Sequence, residues 1–508
     1  MIFTAFGDYK LPLYIYLTTI PIYFLGLTPT AVRLVSVIAG SLAIPGIYLL
    51  TRQLFNKILS PKTSHNASLL SAFLLAISPW HFFISRPALE ANLALTLIIF
   101  GFWALLKGLT HPRFYLLSSI LLSLSLHTYN TARVFVPLLL IAFFIIYRRR
   151  ILNFNRQSLP IYSLILSVLI FISSSTLVGQ QIFTGTGTAR YSKLAILSDT
   201  AVYQIGQSRL HSPLSKNLAR LRYNRPFYFL TKFSKNYFSY FTPSFLYQTH
   251  GAHKQFAITG QNLFTLPVTL LGLIGIVTLI IKYRSNSAYF LFSWFLISPV
   301  ASALTADPPQ ALRPNPMIPA VILFATIGAF TLINFASKKS RVQAVIYTLI
   351  LLICLSGYVR YINVYWTDYL TNYSQSWQYG YRQTIEYIDE HQADYSHIIF
   401  TKRYGEPHIF YAFFSRLDPT LLQPNNNNIR FKQSDWFWTD KIENIYFVND
   451  WDIPSILTDT IPLESGGVVE LKNSLLILSP HNLPTNITVL KTINFLDLSP
   501  AFIIATPK

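Results

Sequence analysis

Across its first 363 residues the sequence carries only four acidic side chains, Asp8, Glu90, Asp199 and Asp307, against 30 Lys and Arg. The bases are strung between long apolar runs. A soluble domain of this size mixes both signs of charge at about 25% of its residues. This chain of 508 residues has 12% charged and 52% hydrophobic residues, with a mean hydropathy of +0.40. That pattern excludes an ordinary soluble enzyme and a disordered chain. It requires helices whose surroundings are lipid. The net charge of +20 is therefore read as membrane topology rather than as a nucleic-acid footprint, which would be gathered on a soluble face. The single cysteine, Cys354, excludes a disulfide scaffold and a Cys-based zinc site.

A bilayer core asks for about 20 apolar residues per helix. Ten runs meet that need: 30–50, 67–84, 88–106, 113–128, 132–147, 159–181, 263–281, 288–305, 315–336 and 342–360. An eleventh stretch, 11–28, carries Pro12 and Pro21, and reads either as a span or as an interfacial helix. One set of short loops holds 14 bases and no acid, from Arg52 through Arg148, Arg149 and Arg150 to Arg341; the opposite set holds Arg86, Arg133 and Arg313. By the positive-inside rule the first set is cytoplasmic. The loop 184–262 and the tail from about 364 then lie outside, and so do all four early acids. The loop holds ten bases against Asp199 and is rich in aromatics. It suits an interface with anionic headgroups and equally a platform for a polyprenyl phosphate. No secretory signal opens the chain.

The tail changes character, with 16 acids and 10 bases over 364–508. Amphipathic helices are predicted from Ser376 to Glu390 and from His408 to Ser415. Strands are predicted over Ser396–Thr401 and near 444–448, 467–478 and 487–496, with Asn425 to Asn428 as a polar loop. The expected fold class is mainly α: a polytopic transmembrane bundle over 1–363 and an extracytoplasmic α/β domain over 364–508. No internal repeat is found.

The outer turns carry the chemistry-bearing residues. Asp8 and Lys10 precede an apolar helix; Lys10 is a compact cation for a phosphate, and Asp8 a base or metal ligand. They read equally as an interfacial anchor. His81, Arg86, Pro87 and Glu90 join two spans. With helix from Pro87 onward, Glu90 lies about a turn inside it, where an ionisable side chain signals function. Arg86 and Glu90, four apart, are also placed to pair if the helix reaches back past Pro87. Arg133 ends a third turn. Arg313, after Asp307 and among prolines, sits at a span mouth where a guanidinium grips a phosphate. No GxxxxGK[ST], HExxH or GxSxG motif is present, so nucleotide hydrolysis, zinc proteolysis and serine hydrolysis lack support.

In order along the chain, Lys10-Leu11-Pro12-Leu13-Tyr14, Ala31-Val32-Arg33-Leu34-Val35-Ser36, Ser78-Pro79-Trp80 with Ser85-Arg86 and Glu90, and Arg313 before Pro316 resemble the GT-C superfamily of membrane glycosyltransferases. The resemblance is to its protein O-mannosyltransferase and aminoarabinose transferase branch. It implies sugar transfer from a polyprenyl-phosphate-linked donor to an acceptor hydroxyl, at the outer face of the plasma (inner) membrane, with inversion at the anomeric carbon. It implies Lys10 and Arg313 as phosphate ligands and Arg86 and Glu90 as organisers of the site; the residues themselves add Arg133 and Asp307 about the substrate, and Glu90 and Asp8 as candidate catalytic carboxylates, Asp8 not standing where the family's acidic pair does. It also implies a first helix and an Asp-Glu pair upstream of the Lys10 motif, which this sequence does not hold; a shortened, inactive member is therefore one alternative. A secondary transporter is the other, disfavoured by charge-free span middles. Membrane lipids and the lipid-linked donor are the expected partners and nucleic acid is not. No cofactor is implied, the need for a divalent metal is left open, and so are the sugar and the acceptor.

Overall fold

The apolar runs become helices, and proline decides where many of them begin. In the computed structural model, α1 (Pro12–Leu25), α2 (Pro29–Phe55), α3 (Pro61–Ala76) and α4 (Pro79–Ser85) each open on proline. At the first helical position its missing N–H costs nothing and its fixed φ is already helical. Ser60 and Ser78 cap α3 and α4 through their hydroxyls. Then follow α5 (Glu90–Gly108), α6 (Phe114–Leu126), α7 (Ala132–Leu152) and α8 (Ser158–Phe183). The structure describes every residue except 1–2, 6–7, 57, 153–157, 184–194, 249–250, 252, 307–308, 337–338, 424–426 and 434–435.

The described part of the loop 184–262 is helical, which its composition did not announce. It contains α9 (Asp199–Leu210), α10 (Lys216–Arg222), α11 (Arg225–Ser239) and α12 (Pro243–Tyr247). The rings of Phe229, Phe233 and Tyr237 stack at 6.1 and 6.0 Å along one face of α11, the i, i+4 spacing of a helix. The chain continues through α13 (Leu266–Ile281), α14 (Asn286–Ile297), α15 (Val300–Ala303), α16 (Met317–Ala336) and α17 (Ser340–Val364).

Two expected single spans are broken. The run 67–84 divides into α3 and α4, bent by 59°, and the run 288–305 divides into α14 and α15. Each break falls at a proline, Pro79 or Pro299: Ser78 is extended, as the residue before a proline tends to be, whereas Ser298 stays helical and the ladder is interrupted at Pro299, which has no N–H to give. Among the described residues, five helices are long and apolar enough to cross a membrane, or six with the bent pair. The 14 residues of α1 rise about 21 Å.

Two compact units divide the chain: residues 1–3, 9–24 and 30–363, and residues 4–8, 25–29 and 364–508. In the first, glycines let helices meet. A Cβ on Gly275 of α13 would lie 1.9 Å from the Phe324 carbonyl oxygen of α16, and one on Gly328 would lie 1.8 Å from that of Leu271. The backbones touch there, as small residues permit in lipid. Trp294 is buried against Phe102 and Phe135 and donates its indole N–H to the Pro316 carbonyl at 2.7 Å.

The second unit is a mixed sheet with helices α18 (Tyr381–His391) and α19 (Pro407–Phe414). Its strands are β3 (His397–Thr401), β4 (Ile429–Gln433), β5 (Trp436–Ile442), β6 (Ile445–Val448), β9 (Ser474–Leu478), β10 (Ile487–Asn494) and β11 (Pro500–Pro507), in the order β10-β11-β9-β3-β6-β5-β4. The central trio β9, β3 and β6 is parallel. Alternation along β3 divides the core: Ile398 and Phe400 face Tyr381, Ile385 and Tyr411, while Ile399 faces Ile453, Ile461 and Val469. The run expected as one strand over 467–478 is two, β7 (Thr460–Pro462) pairing with β8 (Val468–Glu470) before β9 begins. Asn473, at φ +50°, turns the chain between them.

At the carboxyl ends of the parallel strands lies a buried polar knot. Thr401 and Ser479 both donate to the Asp450 carboxylate. Lys402 bridges Asp440 and Glu464, and Asp440 is fully buried. Asn449 donates to Glu464 and Asp452 at 3.1 Å each.

Candidate functional site

Glu90 opens α5. The helix does not reach back to Pro87: α4 ends at Ser85, Arg86 caps it, and α5 starts with Leu89 as its N-cap. Glu90 is thus at the first helical position and not a turn inside, because the restricted backbone around Pro87 separates the two helices. A carboxylate there meets the positive end of the helix dipole. Its partner is Lys10, whose Nζ lies 3.4 Å from Glu90 Oε1, the two side chains being 36% and 12% exposed. Lys10 ends the short strand β2 (Asp8–Lys10), which follows β1 (Phe3–Ala5) and is opened by Asp8.

Packing sets the position of both ends of this pair. Tyr14, one turn into α1, donates to the Val32 carbonyl of α2 at 3.1 Å and is clustered with Ala39 and Leu93. Behind Glu90, Asn92 Nδ2 donates to the Ser36 carbonyl at 2.7 Å, and Thr96 donates to that of Ala39 at 2.8 Å. Ser85 donates to the His81 carbonyl at 2.6 Å. A Cβ on Gly40 would come within 2.3 Å of the Ser85 oxygen, so α2 can approach this corner only as glycine. Buried amides and hydroxyls satisfied in this way lock α2, α4 and α5 together.

Two further turns are tied to the same corner. Asn315 donates to the carbonyl of Ala91, beside Glu90, at 2.8 Å, and Trp80 donates to that of Ala311 at 2.9 Å. Between them sits Arg313, buried, its Nη1 2.7 Å from Thr305 Oγ1. Asn236 of α11 donates to the Thr305 carbonyl at 2.8 Å, joining the aromatic helix to that turn. The amide of Leu13 reaches the His127 carbonyl at 3.3 Å, and Arg133, on that turn, donates to the Leu126 carbonyl at 3.1 Å. Asp307 lies outside the described residues.

Lys10 and Glu90 are therefore in contact, and the turn of Arg313 is bonded to the residue next to Glu90. Sequence reasoning missed Asn92 and Asn315, which hold the corner. The available signal was an amide inside an otherwise apolar helix, Asn92 in α5. Among the described residues no three His, Cys, Asp or Glu side chains gather as metal ligands do. Cations outnumber carboxylates on these turns, and such a set neutralises a phosphate.

A model of the family described as dolichyl-phosphate-mannose-protein mannosyltransferase matches residues 10–176, which contain Lys10, Arg86, Glu90 and Arg133. No curated protein sequence matches the chain. Among solved structures, ArnT from Cupriavidus metallidurans in the apo state aligns over 97% of this chain and 87% of its own, with TM-score 0.52 and 10% identity. The same protein bound to undecaprenyl phosphate aligns over 98% and 89%, with TM-score 0.50 and 10% identity. The chain has the GT-C fold. The oligosaccharyltransferase AglB from Archaeoglobus fulgidus, in complex with an inhibitory peptide and a dolichol-phosphate, is also similar over 84% of this chain, with TM-score 0.47 and 15% identity; the chain spans 54% of its length. On this fold, Lys10, Glu90 and Arg313 come from three segments remote in sequence: the Lys10–Glu90 contact joins the first two, and the bond of Asn315 to Ala91 ties the turn of Arg313 to the residue beside Glu90.

Proposed function

We propose that the chain transfers a sugar from a polyprenyl-phosphate-linked donor to an acceptor hydroxyl at the outer face of the plasma (inner) membrane, with its tail domain extracytoplasmic. The observation that carries this reading is the Lys10–Glu90 contact of 3.4 Å beside the bonded turn of Arg313, on a GT-C fold. ArnT, of the same fold, has been seen with undecaprenyl phosphate.

In the proposed reaction the acceptor oxygen attacks the anomeric carbon from the face opposite the lipid phosphate. The bond from that carbon to the phosphate oxygen breaks, and the configuration inverts. Lys10 and Arg313, with Arg86 and Arg133, neutralise the charge that develops on the departing phosphate, where fixed cations at a dry site act most strongly. Glu90 holds the Lys10 ammonium in place and is, with Asp8, a carboxylate able to take the acceptor proton. Asp307 is assigned to the substrate-binding turn.

The test is transfer by the purified full chain in proteoliposomes, with a labelled polyprenyl-phosphate-linked sugar as donor and release of polyprenyl phosphate as readout. Release that depends on Lys10 and Arg313 supports the reading. A folded chain that releases none from any such donor, yet exchanges a solute across the vesicle, overturns it in favour of transport.

A further inference from the structure

Away from that corner, α5, α6, α7 and α8 line an open-sided cavity of about 280 Å³. Its walls are hydrocarbon, with Leu122, Pro137, Phe144, Val168 and Phe171 among them. Two hydroxyls on α6 break that rule. Tyr115 and Ser118 line the cavity at 3% and 1% exposure, and neither hydroxyl has a hydrogen-bond partner among the described residues. The neighbouring Ser119 and Ser167 are satisfied inside their own helices, by the carbonyls of Leu116 and Ser163. The place of Tyr115 is built in: a Cβ on Gly108 would lie 2.5 Å from its ring. Buried hydroxyls are rarely left orphaned, so two on residues that line one apolar cavity point to an occupant that accepts hydrogen bonds near one end and is hydrocarbon beyond.

The basic ends of the same helices supply the rest. Lys107 of α5 lies over the ring of Phe114 at 5.7 Å. Arg113 precedes α6 and is two residues from Tyr115. Arg148 follows Phe144 by four residues on α7, so it continues the cavity-lining face. Both arginines are exposed. Along α6 the order is cation, then two hydroxyls over roughly 7 Å, then hydrocarbon. A glycerophospholipid has that order: phosphate, ester carbonyls, acyl chain. A polyprenyl phosphate has no carbonyl to offer.

We propose that this cavity binds one acyl chain of an anionic glycerophospholipid from the leaflet at the basic, cytoplasmic end. The hydroxyls of Tyr115 and Ser118 donate to its ester carbonyls, and Arg113 and Arg148 hold its phosphate. The site is distinct from the transfer site, and its test does not depend on turnover. The experiment is native mass spectrometry of the full chain titrated with dioleoyl phosphatidylglycerol, dioleoyl phosphatidylcholine or undecaprenyl phosphate. Phosphatidylglycerol is expected to bind in preference to phosphatidylcholine. Arg113→Gln and Arg148→Gln should each weaken it about fivefold while leaving phosphatidylcholine unchanged. Tyr115→Phe should weaken both glycerolipids. Ile141→Trp, at a wall residue already 56% exposed and so tolerant of bulk, should weaken both by filling the space. Equal binding of the two glycerolipids, or binding indifferent to Ile141→Trp, would mean surface lipid alone and overturn the proposal. So would displacement of phosphatidylglycerol by undecaprenyl phosphate, one for one, which would assign the cavity to the carrier's tail.

Discussion

A lysine and a glutamate 80 positions apart meet at one corner of the first unit, and the first predictions concern them. Lys10→Ala and Arg313→Ala should each lower sugar transfer by about 10²–10³-fold, the loss typical of removing one fixed group from a developing charge. Arg313→Lys should not restore it, since a guanidinium fork binds phosphate in a way an ammonium cannot. Glu90→Gln keeps the shape and removes the charge. It should cut transfer at least ~10-fold if the carboxylate positions Lys10 or takes the proton. Unchanged steady-state rates would remove these residues from the reading. In the second unit, Lys402→Met leaves Asp440 buried without its cation, and should destabilise that unit by about 3–5 kcal/mol in denaturant unfolding. The charged residues of the corner were legible in the sequence because a charge among apolar runs stands out. Asn92 and Asn315 were passed over: an amide inside an apolar helix marks Asn92, but neither that amide nor one in a turn gives a hint of a carbonyl 56 or 224 positions away.

Helices were read from hydropathy, and their interruptions were not. The breaks at Pro79 and Pro299 lie inside runs that remain apolar throughout, so composition passes over them, while a proline without an N–H interrupts the helical ladder. In the tail, β4, β5, β7 and β11 went unread. β5 mixes Trp, Thr, Asp and Lys without strict alternation, and its pairing with β6 and β4 supplies what its own pattern lacks. The glycine contact between α13 and α16 yields a prediction at this scale. Gly328→Val or Gly275→Val must push the touching backbones apart. Each should lower stability by about 2–3 kcal/mol, seen as a lower melting temperature and loss of a monodisperse peak in detergent. Gly179→Ala in α8, where a Cβ meets no described atom within 4 Å, should be neutral or raise stability by about 0.5–1 kcal/mol.

Taken whole, the molecule divides its charge sharply, 30 bases and four acids before residue 364 and 10 bases and 16 acids after it. The acidic unit should respond to pH through a half-buried histidine. Burial first, then Arg430 and Lys402, pushes His408 down to about 4. In the unfolded chain it titrates near 6.5. Between those values the unfolded chain binds a proton that the folded one refuses, so stability falls as pH drops from about 6.5 towards 4. Asp389, raised by burial, acts in the opposite sense near the bottom of that window. Tryptophan-monitored unfolding of the full chain at pH 7.5 and pH 5 should show the loss, and His408→Gln should flatten it. An equal slope in the variant would place the sensitivity elsewhere.

The bend after α3 has a consequence for how substrates arrive. Sixteen residues rise about 24 Å, whereas the oily layer is about 30 Å thick. A span that starts at one edge of that layer and bends after such a helix turns aside some 6 Å before the other edge, and the segment that leads to Glu90 starts from this bend. A floor sunk below the waterline favours visitors that travel sideways in the oil. In the proposed reaction a lipid-borne donor would glide in without lifting its tail, and the acceptor would make the descent.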